Sequence, residues 1–179
     1  MPPKLPYRLV ESKTIYRGRI VRLVKDRFIL NAAKNKLVTR EILRHPGAAV
    51  IVPYADKKNL LLIRQFRYAA QGDLWEIPAG TLEKGEAPLV CAKRELEEET
   101  GFKARRWTLL GRFLPAPGIS DEMMTLYRAE DLRPGRKNLD HDEWIESQVV
   151  SVKKARQMIR RGLIRDAKTI AGILWPDAS

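Results

Sequence analysis

The sequence of 179 residues holds one cysteine, Cys91. A lone thiol cannot close an internal disulfide and sits in no metal-ligand spacing, so a reducing compartment is expected and any metal ion must be held mainly by oxygen. No run approaches the ~18 consecutive apolar residues of a membrane span, and Met1 to Glu11 lacks the apolar core of a secretory leader. The expected address is the cytoplasm, with no membrane partner. Internal repeats, low-complexity tracts, a helix-turn-helix and RNA-binding motifs are also missing, which argues against a nucleic-acid partner. What is present, 44% hydrophobic and 31% charged residues, excludes disordered and fibrous classes and suits one soluble globular domain with a small extension.

Charge is plentiful but uneven. The formal net charge is +12, and residues 1–45 carry twelve Lys or Arg against three acids, Glu11, Asp26 and Glu41. The basic excess therefore sits in the first quarter, where it either attracts an anionic ligand or simply solubilises the surface.

Hydrophobic patterning divides the chain. Tyr16 to Val21, Val24 to Leu30 and Lys36 to Leu43 read as strands of a small antiparallel meander with a turn at Asn31 to Asn35. His45-Pro46-Gly47 breaks that pattern, so residues 1–45 are expected to form an N-terminal β subdomain and residues 46–179 the main domain. Ala48 to Pro53 and Asn59 to Phe66 suit buried strands. A helix is expected from Pro88 to Thr100, with proline in its first turn and Gly101 as the left-handed residue beyond it. Trp107 to Leu114, Met123 to Ala129 and Glu143 to Val152 read as extended, and Val152 to Arg161 and Asp166 to Trp175 as helical. The expected fold class is α/β, a mixed sheet between helices.

One helix breaks local rules. Glu95, Glu97, Glu98 and Glu99 crowd its last turn and a half, where the negative end of the macrodipole disfavours each carboxylate by about 0.3–1 kcal/mol. At about 100° per residue, Glu95, Glu98 and Glu99 share one face beside an apolar stripe of Leu89, Ala92 and Leu96. A solvated acidic patch, eased by Lys93–Glu97 and Arg94–Glu98 pairs, leaves Glu95 and Glu99 repelling each other. A hard divalent cation removes the conflict. The strand and glycine loop Leu74 to Glu83 precede this helix, and Ala79 there offers a carbonyl oxygen as a further ligand.

Read from Gly80, the chain runs Gly80, five residues, Glu86, seven residues, then Arg94-Glu95-Leu96-Glu97-Glu98-Glu99-Thr100-Gly101-Phe102. This resembles a complete Nudix box. Gly18, His45 to Val50, Arg64 to Tyr68, Trp75 to Gly80, Pro115 to Glu122 and Asp140 to Ile145 extend the resemblance to most of the chain and look like the ADP-ribose pyrophosphatase branch, with Pro117 sixteen residues past Gly101 as a branch marker.

The resemblance implies a Nudix α/β/α sandwich and hydrolysis of a nucleoside diphosphate linked to another group, with Mg2+ or Mn2+ as cofactor. ADP-ribose, split to AMP and ribose 5-phosphate, is the first substrate to expect, with GDP-sugars, other dinucleotides or a pure binding role as alternatives. By matching position, Glu95, Glu98, Glu99 and the Ala79 carbonyl are the expected metal ligands. Arg94 orients them, with Glu86 as its partner. The general base is expected on a late acidic loop: Glu143 first, with Asp142, Asp140 and Glu122 in reserve. Arg64 and Arg67 are candidates to grip the diphosphate, against a competing reading as edge-strand charge, and Glu122 is a further substrate-binding candidate. Trp75 is assigned to the core. The family also implies that the basic first quarter pairs with a second copy as a homodimer and helps cradle the nucleoside, where Phe28 or Tyr16 would stack on the base.

Overall fold

The structure, a computed structural model, describes residues 6–30, 36–139 and 144–175. It divides into two compact units, Met1–Pro46 with Ala116–Glu122, and Gly47–Pro115 with Met123–Ser179. Among the described residues no helix is long and apolar enough to cross a membrane.

The first unit is an antiparallel sheet of β1 (Tyr7–Arg17), β2 (Arg22–Leu30) and β3 (Lys36–Arg44), in that order. Strand β1 begins and ends earlier than Tyr16 to Val21. Gly18 donates its N–H to the Val21 carbonyl at 2.9 Å, so Ile20 and Val21, β-branched but in the hairpin loop, misled the sequence reading. The segment Ala116–Glu122 is tied to the end of β3: the Leu43 N–H donates to the Ile119 carbonyl (2.8 Å) and Asp121 N–H to the Leu43 carbonyl (3.2 Å). Arg44 donates to Asp26 (2.5 Å) and Asp121 (3.0 Å), so one guanidinium joins β2, β3 and that segment.

The second unit is mixed α/β. One sheet has the order β7 (Ala79–Thr81), β4 (Ala48–Pro53), β9 (Met124–Pro134), β8 (Phe102–Phe113), and the other the order β10 (Ile145–Ser151), β5 (Asn59–Arg67), β6 (Gly72–Glu76). Strand β4 runs parallel to β9 and antiparallel to β7. Its apolar run is continuous because both faces are covered. Ala49 and Ile51 pack with Cys91, Ala92 and Leu96 of α1 (Pro88–Thr100), whereas Val50 and Val52 face Leu60, Leu62, Ile77 and the helices α2 (Val152–Arg160) and α3 (Ala167–Leu174). Leu96 is fully buried, so truncation to alanine costs roughly 2–5 kcal/mol. The stripe of Leu89, Ala92 and Leu96 thereby fixes which way the remaining α1 side chains point. Trp75 lies partly buried against the second core.

Candidate active site

Helix α1 starts and stops as its residues dictate. Pro88 occupies the first turn, and Gly101 at φ 76° closes the end by donating its N–H to the Glu97 carbonyl at 2.8 Å. The last turn carries no basic residue. Asn138 N–H takes up the Glu98 carbonyl at 3.0 Å, which offsets part of the crowded negative end.

Arg94 is the organiser of the acidic face. Its Nη1 donates to Glu95 Oε1 at 2.6 Å and to Glu98 Oε2 at 3.0 Å. Its Nε and Nη2 hold the two oxygens of Glu86 as a fork, each at 3.1 Å. One cation thus gathers three carboxylates from the loop before α1 and from α1 itself. The hydrogen bond from Arg94 holds the Glu86 carboxyl below the usual carboxylate range, and the same contacts raise the guanidinium's own value. Glu97 points elsewhere, to Lys103 at 3.1 Å and the Arg136 N–H at 3.2 Å, so the Lys93–Glu97 pair is replaced.

Glu99 sits apart, only 3% exposed, and its Oε2 accepts the Ala79 N–H at 3.2 Å. Gly80 follows, paired with Ala49 of β4. A Cβ built on Gly80 would stand 1.9 Å from the Glu95 carboxyl carbon and from Oε1, so only glycine lets the Glu95 carboxylate lie against this backbone. Strand β7 and the acidic face of α1 therefore meet edge to edge, as the glycine loop implied.

The donor set suits a hard cation. Carboxylates of Glu95, Glu98 and Glu99, with neighbouring backbone carbonyls, are all oxygen, and the one thiol nearby is withheld. Burial pushes Cys91 up to about 12, and its Sγ donates to the Gly80 carbonyl at 3.4 Å. Among the described residues no three His, Cys, Asp or Glu side chains converge on one point, since Arg94 draws Glu95 and Glu98 to itself while Glu99 turns to Ala79. An ion would have to share Glu95 and Glu98 with that guanidinium.

A second ionic cluster was not visible in the sequence. Arg67 Nε and Nη2 donate to Glu76 Oε1 and Oε2, both at 2.8 Å, and Lys168 Nζ donates to Glu76 and to Asp166, the latter at 3.0 Å. Glu76 is 1% exposed. Burial pushes its carboxyl up, but the Arg67 hydrogen bonds and the Lys168 charge outweigh this and leave it below its ordinary value. Asp166 also caps α3 by accepting the Thr169 N–H at 3.0 Å, while Thr169 Oγ1 accepts the Ile77 N–H at 2.9 Å. The cluster therefore pins β5, β6 and α3 together. Glu99 is among the charges that act on Arg67, so this cluster and the α1 face share a field.

The other sequence candidates scatter. Arg64 and Arg67 are three residues apart on β5 and so point to opposite faces; Arg64 pairs with Asp73 at 2.8 Å on the outer side. Glu122 belongs to the first unit, its Oε1 3.6 Å from His45 Nδ1. Glu143, Asp142 and Asp140 lie outside the described residues. The signal that could have found Glu76 is its place between Trp75 and Ile77: an acid inside an apolar strand needs a buried partner.

The NUDIX domain matches residues 43–172 of this chain. An ADP-ribose pyrophosphatase of Bacillus subtilis (strain 168) is 36% identical over 174 residues, 96% of this chain and 92% of that protein. A GDP-mannose pyrophosphatase of Cronobacter sakazakii (strain ATCC BAA-894) is 34% identical over 175 residues, 84% of this chain and 91% of that protein. The crystal structure of an ADP compounds hydrolase superposes with a TM-score of 0.81 at 21% identity, covering 94% of this chain and 91% of that one, which extends the likeness to the fold, N-terminal antiparallel sheet included.

Proposed function

The chain belongs to the NUDIX domain family and is a hydrolase of it, and on that premise we propose that it hydrolyses the diphosphate of ADP-ribose or a related nucleoside diphosphate sugar, giving AMP and ribose 5-phosphate from ADP-ribose. The observation that carries this reading is the gathering of Glu95 and Glu98 on Arg94, with Glu99 buried beside Ala79. Nothing in that packing needs so many acids at the negative end of a helix unless positive charge is to be received there.

Glu95, Glu98, Glu99 and the Ala79 carbonyl are the proposed ligands of Mg2+ or Mn2+. Such an ion, when bound, would supply neutralisation of phosphate oxygens and a lowered pKa for an attacking water. The chain's own contribution is positional. Arg94 spaces the carboxylates, the glycine at position 80 keeps Glu95 against β7, and the Arg67–Glu76–Lys168 cluster fixes the strands behind them. Arg67 can meet a diphosphate only by sharing its guanidinium with Glu76, so its proposed grip is partial, and Arg64 on the opposite face is the weaker candidate. Glu143 is the proposed general base, with Asp142, Asp140 and Glu122 behind it, and Glu122 a proposed substrate contact.

Within the first unit, Phe28 stands edge-on to Tyr7 at 5.6 Å and lines a cleft of about 310 Å3 with Arg40 and Arg44, which supports Phe28 over the 62%-exposed Tyr16 as the base-stacking residue. All eleven residues of β1 are exposed, Leu9, Val10 and Ile15 among them, and this supports a homodimer that covers the strand. A cytoplasmic setting is part of the proposal and rests on the single, buried thiol.

A GDP-sugar as substrate is the second reading, favoured by the GDP-mannose pyrophosphatase relative. Product analysis with ADP-ribose, ADP-glucose, GDP-mannose and NADH side by side, with Mg2+, decides between them. Fastest turnover of ADP-ribose supports the first reading, fastest turnover of GDP-mannose the second, and no turnover of any defeats both.

A further inference from the structure

Far along β4 from Gly80, beyond its last residue, lies an open cleft of about 820 Å3 in the second unit. Among the described residues its walls carry Lys57, Lys58, Arg128, Lys153 and Arg156 against one carboxylate, Glu130, which Arg106 approaches at 3.7 Å. These five cations come from separate elements: the β4–β5 turn, β9 and α2. The fold, and not a run of sequence, assembles them. Lys57, Lys58, Lys153 and Arg156 are exposed, and among the described residues none of them makes an ion pair within 4 Å. Lys153 and its neighbours occupy the first turn of α2, which has no acidic residue, so cations stand at the positive end of a helix dipole. That is the mirror image of the α1 anomaly: like charges held where local stability disfavours them, around a concavity.

The size is that of a small-molecule site. Tyr54, with Arg128 5.1 Å over its ring, and Trp175, whose Nε1 donates to the Leu110 carbonyl at 3.2 Å, give it firm walls. We propose that this cleft is a second anion site, which binds a small-molecule polyphosphate and shares no residue with the carboxylate face of α1. Several cations converging on one concavity match a chain of phosphates better than a single carboxylate or sulfate, because each phosphate added engages a further cation. The site itself does not depend on which substrate α1 serves.

The test is titration of inorganic triphosphate into the isotopically labelled full chain, followed through backbone amide resonances. Saturable shifts should cluster at Lys57, Lys58 and the first turn of α2. Lys153→Glu combined with Arg156→Glu, both exposed positions, should weaken binding by about tenfold or more without lowering the thermal midpoint, while Glu98→Gln should bind as the wild type does. Absence of saturation, shifts confined to Gly80 and α1, or equal affinity in the double variant would overturn the proposal. So would a single-stranded RNA that binds the same residues about tenfold more tightly than triphosphate, which would make the occupant a nucleic acid. Because binding is read without turnover, an inactive box leaves this result intact.

Discussion

Replacing Gly80 with alanine separates the chemistry of the site from its stability. The new Cβ would fall 1.9 Å from the Glu95 carboxyl carbon and Oε1, and 2.3 Å from Cγ. Gly80 has no positive φ, so the backbone accepts alanine, and the clash is with the mobile end of a side chain. Glu95 must swing away, losing its 2.6 Å hydrogen bond to Arg94, which keeps both bonds to Glu86 and the one to Glu98. A charged hydrogen bond is worth about 1.5–3 kcal/mol when well shielded. Glu95 and Arg94 are 15% and 29% exposed, so about 1 kcal/mol is the better figure. At this chain length that lowers the melting midpoint by roughly 2–4 °C. Hydrolysis should fall far more, by about 10–100-fold, as when a metal-supporting residue is misplaced. The assay is metal-dependent release of AMP from ADP-ribose, with calorimetric melting on the same preparations. Full activity in a folded Gly80→Ala protein would mean that the position of Glu95 against β7 does not matter for hydrolysis, contrary to this expectation.

Other perturbations read other parts of the structure. Glu76→Ala leaves Arg67 and Lys168 facing each other without their shared carboxylate, and should cost about 3–5 kcal/mol, measured by urea unfolding. Because Glu76 titrates below its ordinary value near 4.5, its stabilisation is complete above about that pH and is lost as pH falls through the folded value, so the advantage of the wild type over Glu76→Gln should shrink in acid. Arg94→Lys keeps the charge but loses the fork on Glu86; turnover should drop at least about tenfold with a melting shift of a few degrees at most, and equal turnover would remove Arg94 from the site. Cys91, pushed up to about 12 by burial, should resist alkylation at pH 8 until the chain unfolds, so labelling should track unfolding.

Helices were the most legible part of the sequence. Proline and glycine bracket α1, and the expected span from Pro88 to Thr100 is the observed one. Strands were less so wherever solvent covers a face. Strand β1 carries Arg8, Glu11, Ser12 and Lys13 among its apolar residues and buries none of them, so no alternation marks it, whereas β4, covered on both sides, reads at once. Strand β8 begins at Phe102, directly after α1, because pairing with β9 extends it well before Trp107. Family likeness followed first from the box residues, which form one contiguous stretch, and the α/β class from the alternation of strand and helix patterns along the chain. The Glu76 cluster ties Glu76 to Lys168, 92 positions away, and the cations of the basic cleft come from three separate stretches of chain, so neither leaves a local pattern to read.

Most direct of all is calorimetric titration of Mn2+ into the full chain and into the triple variant Glu95→Gln, Glu98→Gln, Glu99→Gln. Saturable uptake by the wild type, lost in the variant while the fold survives, is the expected result. Equal uptake by both proteins, or none by the wild type, would contradict the claim that these carboxylates are gathered to hold a divalent cation.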